Sequence, residues 1–501
     1  MNHTDTDEIY DFIVIGSGMG GLTAASLLAK DGHSVLILEA ALAIGGCSSS
    51  YYRKGYIFES GATTLIGFDE HQPLKKLEET LGITIPKTKL NPSMKVHMDG
   101  KEITRYEDRD EWIRESIRHF GEDKAQETFW QKAFKVADVV WRVSEKNSAF
   151  PPQSAKDWLS LLKNDPRDVW VLPYAIKSVK EFARDCNITN PEFFRFLDEQ
   201  LLISAQSKSD DTPFLFGAPA ITYTNCSNYT VPGGLKNMAE VLSGFITEKG
   251  GKVQTKEKVL SLVKEAGMFK VATSKNRTYQ ARQVVSNIPV WNMEDITTGK
   301  MAEYFRTESA KYSEAWGAFT MGVVTDDVYS DGMPLHHQIH IKNTISGIHS
   351  DSIFVSFSHP DDEERSKKGT RVLNISSHTD TDYWFSLNGK YDDEKERVQE
   401  QIIAVLKEQL PQFGKAEIKL AFSATPVSWE NWVYRKKGRV GGIPQSMGRS
   451  LLDWTPNQTP FKGLYLCGDT VFPGQGIPGV TLSGFHVYYR AQNNFKKQQF
   501  H

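Results

Sequence analysis

The sequence predicts an α/β protein with a Rossmann-like nucleotide-binding unit at its N-terminal end. Three observations carry this. An unbroken apolar run, Phe12-Ile13-Val14-Ile15, feeds into the glycine-rich turn Gly16-Ser17-Gly18-Met19-Gly20-Gly21, and a second run, Val35-Leu36-Ile37-Leu38, ends on Glu39. Near the far end of the chain another short apolar run enters a second glycine-rich element, Gly468-Asp469 and Pro473-Gly474-Gln475-Gly476-Ile477-Pro478-Gly479-Val480-Thr481. With 501 residues, 39% hydrophobic, and a mean hydropathy of −0.43, the chain is expected to be a folded, water-soluble protein of two or three domains.

Apolar runs without alternation are how strands of a parallel sheet read, because both faces are covered. Gly16, Gly18 and Gly21 fill a GxGxxG pattern. Leu22 to Lys30 then reads as a helix closed by Asp31-Gly32. From Phe12 to Glu39 is about 30 residues, the length of one βαβ unit with its acidic residue at the expected distance. The first glycine allows the tight turn, the second lets backbone approach a pyrophosphate, and the third lets helix and strand pack closely. The helix N-terminus offers free N–H groups and a positive dipole end to the phosphates. Glu39 would accept from ribose hydroxyls and repel a 2′-phosphate, which favours FAD or NAD over NADP.

Two further features select between those dinucleotides. Gly45-Gly46-Cys47-Ser48 follows Glu39 and permits a second close backbone approach, and a helix pattern from about Leu482 to Lys496 follows the C-terminal glycines. FAD is long, and its ribityl and ring halves need partners beyond an ADP site, so two distant glycine-rich elements favour FAD. These motifs, with Val231-Pro232-Gly233-Gly234-Leu235, the strand around Val259, Val284-Val285-Ser286-Asn287 and Phe354 to Asp362 between them, resemble the phytoene desaturase family of flavoproteins. That family includes carotenoid isomerases and retinol saturases. The resemblance covers nearly the whole chain and is closest to bacterial desaturases acting at the 3,4 position of γ-carotene-like or 1-hydroxylated carotenoids.

The resemblance implies a flavin domain of the amine oxidase and phytoene desaturase type, assembled from residues 1–85, 225–290 and 440–501. Residues 86–224 and 291–439 would form a discontinuous α+β substrate domain, with a sheet roofing a long apolar tunnel. It implies that Gly16, Gly18 and Gly21 carry the FAD pyrophosphate, Glu39 the adenosine ribose, Val259 the adenine through its backbone, and Asp469 the ribityl chain. Gly479, Val480 and Thr481 would present N–H groups to the flavin ring. Gly20, Ala40, Gly45, Gly46, Cys47, Gly61, Ala62, Thr63 and Gly468 complete the implied cofactor contacts. One departure is visible: many relatives carry Arg after the paired glycines where this chain has Cys47, so phosphate pairing by a guanidinium is lost at that point. Cys47 itself, like Cys467, reads as a small packing residue, with no resolving cysteine or nearby His.

Lys+Arg 59 against Asp+Glu 62 leaves a net charge of −3, without the basic field of a nucleic-acid binder. Four dispersed cysteines, and a polar start from Met1 to Glu8 without an apolar signal core, point to a reducing, cytoplasmic setting. Residues 100–220 read as helical, with Trp112, Ile113, Ile117 and Phe120, then Phe193, Phe194, Phe196 and Leu197, at helical spacing. Within them, Trp158 to Lys163 and Val169 to Lys177 mix Trp, Tyr and aliphatics with flanking lysines, the make-up of helices lying in a membrane interface. A carotenoid dissolves only in membranes, so peripheral attachment near 155–185, on the inner face of the cell membrane, is expected. Ala318 to Val324 and Arg371 to Ile375 read as strands.

A flavin can take hydride unaided, with quinone or oxygen as final acceptor, so no Ser-His-Asp or paired-carboxylate signature is required and none is legible. No catalytic residue is assigned. His336, His337 and His340 offer fragments of a metal spacing without an acidic partner in register, and no metal is assigned. Asp380 and Asp382 read as a surface turn. The alternatives sharing these motifs are a carotenoid isomerase and a retinol-saturase-like reductase. A non-enzymatic alternative is an isoprenoid escort of the Rab GDP-dissociation-inhibitor type, which the intact glycine set and Glu39 disfavour. An amine oxidase would need an aromatic cage that Tyr488 and Tyr489 alone do not establish.

Overall fold

Val14 lies at the centre of one sheet, paired in parallel with Ile37 on one side and Val285 on the other. The computed structural model describes residues 4–152, 154–164, 166–312, 314–450 and 452–499. Its first sheet runs Val259–Glu265, Met268–Thr273, Arg277–Ser286, Thr4–Ile15, Val35–Leu38 and Lys252–Gln254, with Leu464–Leu466 joining the end of Arg277–Ser286. The long Arg277–Ser286 strand changes partner along its length. Residues 278–281 pair antiparallel with 269–272, and 284–286 pair parallel with 464–466. Segments from both ends of the chain thereby lie side by side, with the C-terminal glycine element placed next to the N-terminal one.

The helix Met19–Lys30 starts three residues before the apolar pattern that predicts it. Its Gly18 cap has no side chain to bond the first free N–H groups, and Asn287 does so from the next strand, its Oδ1 accepting from Gly21 N at 2.8 Å. The last helix likewise begins early, at Gly476, because Pro478 falls in the first turn where its missing N–H costs nothing. Met19 to Ala29 are buried, packed beneath this last helix.

A second seven-stranded sheet runs Ile418–Ala424, Gly317–Asp326, Thr370–Thr379, Ser352–Phe357, His336–His340, Met94–Met98 and Lys101–Arg105. Every pairing is antiparallel except His336–His340 with Met94–Met98. The stretch read as helical from residue 100 therefore opens with a strand, Lys101–Arg105, and the helices follow it. Asp108 caps the first of them, Arg109–Phe120, accepting from Asp110 N and Glu111 N. Arg105 is buried with its guanidinium 3.9 Å from the Trp112 ring and its Nη2 donating to Ile221 O, and desolvation pushes its pKa down to about 9. Trp112, Phe120, Phe193, Phe196 and Leu197 form the helical core, whereas Ile117 and Phe194 sit at its margin. The segment expected to lie at a membrane interface is an α-helix, Ala155–Asn164, followed by a 3-10 stretch, Pro166–Ile176, whose Pro173 lacks the donor an α-helix would use.

Candidate functional site

The glycines of both ends meet at one wall of a cavity of about 1460 Å³. That exceeds the ~300–1,000 Å³ of an ordinary small-molecule site and leaves room for two ligands in line. Gly16 holds φ at +90°, a left-handed turn that brings its N–H to Leu38 O at 2.8 Å. A Cβ at Gly18 would sit 2.4 Å from Asn287 Nδ2. One at Gly20 would sit 2.8 Å from Asn287 Oδ1 and 3.0 Å from both Gly468 N and Val480 O. These residues thus form bare backbone walls that a side chain would fill, the shape that admits a pyrophosphate against helix N–H groups.

Glu39 is buried and already aimed. Its Oε2 accepts from Ser17 N at 2.8 Å and Ser17 Oγ at 2.6 Å, and its Oε1 from Ala41 N at 2.8 Å. The carboxylate edge still lines the cavity, so a ribose hydroxyl can add to a group whose position costs nothing further to fix. Gly45 pairs with Gly18 as an isolated bridge, its N–H donating to Ser17 O at 3.0 Å. Ala62 N donates to Cys47 O, and Gly61 packs so close to Trp429 that a Cβ would lie 2.8 Å from its Cη2. Asp469 Oδ2 accepts from Arg435 Nη2 at 2.8 Å, and Gly468 N donates to Ser483 Oγ at 2.9 Å. An elongated dinucleotide with phosphates at the glycines and a hydroxylated chain at Asp469, as in FAD, fits this donor and acceptor set.

Every residue singled out for cofactor contact lines this cavity except Gly21 and Thr481. Gly21 acts from behind, since a Cβ there would lie 2.5 Å from Gly16 O. Thr481 is fully buried, with its Oγ1 unpartnered among the described residues. Sequence reasoning assigned no role to Asn287 or Arg435, nor to Ser17. Asn287 was visible as a polar residue closing an apolar strand; Arg435 was hidden in the run Arg435-Lys436-Lys437-Gly438-Arg439, which reads as a solvated basic turn.

The other half of the cavity is walled by Trp141, Phe216, Tyr223, Phe354, Phe422 and Trp429. His378 stands among them, half-buried, with Nε2 donating to Gln206 Oε1 at 3.1 Å in this amide orientation, which leaves Nδ1 as the acceptor. Desolvation pushes its pKa down to about 4, so the imidazole is neutral at pH 7. Gly441 makes room for that pair, since a Cβ there would lie 2.5 Å from Gln206 Oε1, and the next residue, Gly442, packs on Asp469. The loop that packs on Asp469 thus also packs on Gln206, the partner of His378.

Three other histidines are held by protein groups, whereas both ring nitrogens of buried His486 have no hydrogen-bond partner among the described residues. His97 and His337 bond each other at 2.9 Å, and His336 bonds Ser356, which donates to Thr63 Oγ1 at 2.7 Å. Among the described residues no group of three His, Cys, Asp or Glu has the arrangement of a metal site. Asp380 caps the short helix Thr381–Ser386 on the surface, accepting from Asp382 N. Tyr488 donates to Asp31 and Tyr489 packs on Phe485, so these tyrosines serve the helix that carries them.

A sequence profile for flavin-containing amine oxidoreductases matches residues 19–487. The chain is 26% identical to the chloroplastic prolycopene isomerase of Daucus carota, over 98% of this chain and 81% of that protein. It is 23% identical to the 4,4'-diapophytoene desaturase (4,4'-diapolycopene-forming) of Methylomonas sp, over 93% and 92% of the two. Its fold is shared with cyclohexylamine oxidase from Brevibacterium oxydans, with a TM-score of 0.61 at 14% identity, over 98% of this chain and 100% of that one.

Proposed function

The chain belongs to the flavin-containing amine oxidoreductases, with FAD as cofactor, and on that premise we propose that it desaturates a γ-carotene-like or 1-hydroxylated carotenoid. The observation that carries the reading is one continuous cavity joining a glycine cradle to a wall of aromatic side chains. FAD, when bound, supplies the acceptor for a hydride. The protein's part is to bind, orient and keep dry. Trp141, Phe216, Tyr223 and Phe354 present faces and edges to a flat polyene and exclude water along it. A hydride leaving next to a polyene gives a delocalised cation, whose proton a weak base can remove. His378 Nδ1 is a neutral acceptor on the same wall.

Access supports the same reading. Trp158, Leu159, Val169, Trp170, Leu172 and Ile176 are exposed, Ile176 at 81%, within one short stretch flanked by Lys156, Lys163, Arg167 and Lys177. That stretch rests on the helices Asp123–Lys146 and Phe214–Ile221, which supply Trp141 and Phe216 to the cavity. No helix among the described residues is long and apolar enough to cross a membrane. We infer peripheral docking of this face on the cytoplasmic leaflet, through which a bilayer-dissolved carotenoid enters, with quinone or oxygen as the final electron acceptor. A flavin domain of residues 1–85, 225–290 and 440–501 would then sit against a substrate domain of 86–224 and 291–439.

A second reading, cis–trans isomerisation of a carotenoid, is favoured by the likeness to the Daucus carota isomerase over nearly the whole chain. Holoprotein incubated with γ-carotene-like, 1-hydroxylated and cis-carotenoids in liposomes, with the acceptor varied, separates the two. A product lighter by two hydrogens supports desaturation. Unchanged mass with a shifted absorbance spectrum supports isomerisation, and no change with any substrate rejects both.

A further inference from the structure

The turn after Gly45-Gly46 carries Cys47, which has no cation to offer, yet a guanidinium stands at that point. Arg435 lies against the Cys47 thiol from a loop nearly four hundred residues downstream. Arg53, Lys236, Lys258, Lys395 and Arg435 line the cavity, and Arg435 alone of these cations is buried, at 8% exposure. Its Nε donates to Arg439 O at 2.5 Å and its Nη2 to Asp469 Oδ2 at 2.8 Å. The guanidinium also hydrogen-bonds the Cys47 thiol, Nη1 makes no hydrogen bond to a protein oxygen among the described residues, and the side chain faces the same cavity as Gly18, Gly46 and Asp469.

The loop that delivers Arg435 is built for one conformation. Tyr434 and Lys437 both hold left-handed φ, +59° and +57°, and a Cβ at Gly438 would lie 1.9 Å from Pro426 O. Asn292 clamps it from outside, Nδ2 donating to Tyr434 O at 2.9 Å and Oδ1 accepting from Lys436 N at 3.2 Å. Such a loop around one buried cation is more than a solvated turn needs. A guanidinium is a donor-only fork suited to oxygen acceptors. With two of its nitrogens fixed by protein oxygens, the third is pre-aimed and loses little entropy on binding.

We propose that Arg435 is a cofactor-binding residue: it holds the Asp469 carboxylate in place and donates Nη1–H to an oxygen of the ribityl–pyrophosphate segment of FAD, supplying the guanidinium that the paired-glycine turn lacks. Cys47 is small because that space belongs to Arg435. The inference rests on FAD as the cofactor and is independent of which carotenoid reaction the enzyme performs.

The experiment measures FAD retention of purified holoprotein, by flavin dissociation constant after dialysis and by the temperature of flavin fluorescence release. It compares wild type, Arg435→Lys, Arg435→Met, Arg435→Ser and the double variant Cys47→Arg/Arg435→Ser. The expected result is a dissociation constant at least tenfold higher for Arg435→Met, an intermediate value for Arg435→Lys, and recovery of most of the loss when the guanidinium is moved to position 47. Wild-type affinity in Arg435→Met overturns the proposal, as does a double variant no better than Arg435→Ser. Should Arg435→Met not fold, the double variant decides: FAD retained near wild type supports the proposal, and FAD lost or a chain unfolded overturns it. Wild-type protein without flavin absorbance would instead strike the cofactor assignment itself.

Discussion

The two halves of the cavity are made differently. The cofactor half is mostly backbone: Gly16, Gly18, Gly20 and Gly468 remove side chains so that main-chain atoms from distant parts of the chain can close on one ligand, and its charged groups, Glu39, Arg435 and Asp469, are already bonded. The apolar half is side chain: Trp141, Phe216, Tyr223 and Phe354 make its wall, and His378 and Gln206 stand as one polar pair within it. The first half tolerates almost no added atom, because its neighbours are main chain and the Asn287 amide, which is itself tied to Gly21 N. The second is a surface that can be recut residue by residue, so a fold of this kind can host more than one chemistry on the same cofactor cradle.

The sharpest way to break that contrast is Gly20→Val. Two of the three atoms its Cβ would strike are main chain, so relief is blocked and the overlap exceeds the ~1–3 kcal/mol of ordinary overpacking. The expected outcome is protein that folds by circular dichroism and loses its flavin, read as the absorbance ratio of flavin to protein. Phe216→Ala should do the opposite. FAD content stays at the wild-type level while KM for the carotenoid rises, by the ~1.5–3 kcal/mol that burial of a large apolar side chain is worth. Loss of FAD in Phe216→Ala would erase the distinction between the halves.

A smaller effect falls on the rim. Leu172→Ser with Ile176→Ser removes two exposed apolar side chains from the proposed docking face and touches neither half of the cavity. Flotation with anionic liposomes should fall several-fold while flavin content is unchanged. Equal flotation would exclude this face as the membrane contact.

The mildest expectation near neutrality is a pH effect confined to the buried histidines. Burial pushes His97, His340 and His378 down to about 4 and His336, His337 and His486 down to about 3, from an ordinary 6.5. Below pH 6.5 the unfolded chain therefore binds more protons than the folded one. The stabilisation from keeping these rings neutral is fully present above pH 6.5 and is lost as pH falls from 6.5 toward 4. The urea midpoint should drop between pH 7 and pH 5, and a His97→Asn/His337→Asn variant should drop less.

The cofactor half was legible because its glycines and Glu39 are demanded by main-chain geometry, which has few solutions. Gly16 needs its left-handed φ, and Gly18 and Gly20 have no room for a Cβ. Asn287 and Arg435 act across 266 and 34 residues, on Gly21 and Asp469, and nothing in their immediate neighbours in sequence announces those partners. The apolar half was legible only as composition. Trp141 and Phe216 share their helices with the core residues Phe129 and Phe214, and only the packed structure tells the wall from the core. The strand Lys101–Arg105 was absorbed into a helical reading because five residues are too few for period two to stand out beside the long helices that follow.

Because a Cβ on Gly20 would lie 3.0 Å from both Gly468 N and Val480 O, the prosthetic group's berth does not exist until residues 468–480 have left the ribosome. Flavin loading must therefore wait for that element. A chain truncated before Leu464 would be a colourless polypeptide whose sheet lacks Leu464–Leu466 beside Val284–Ser286, so yellow colour during expression reports chains extended past that element.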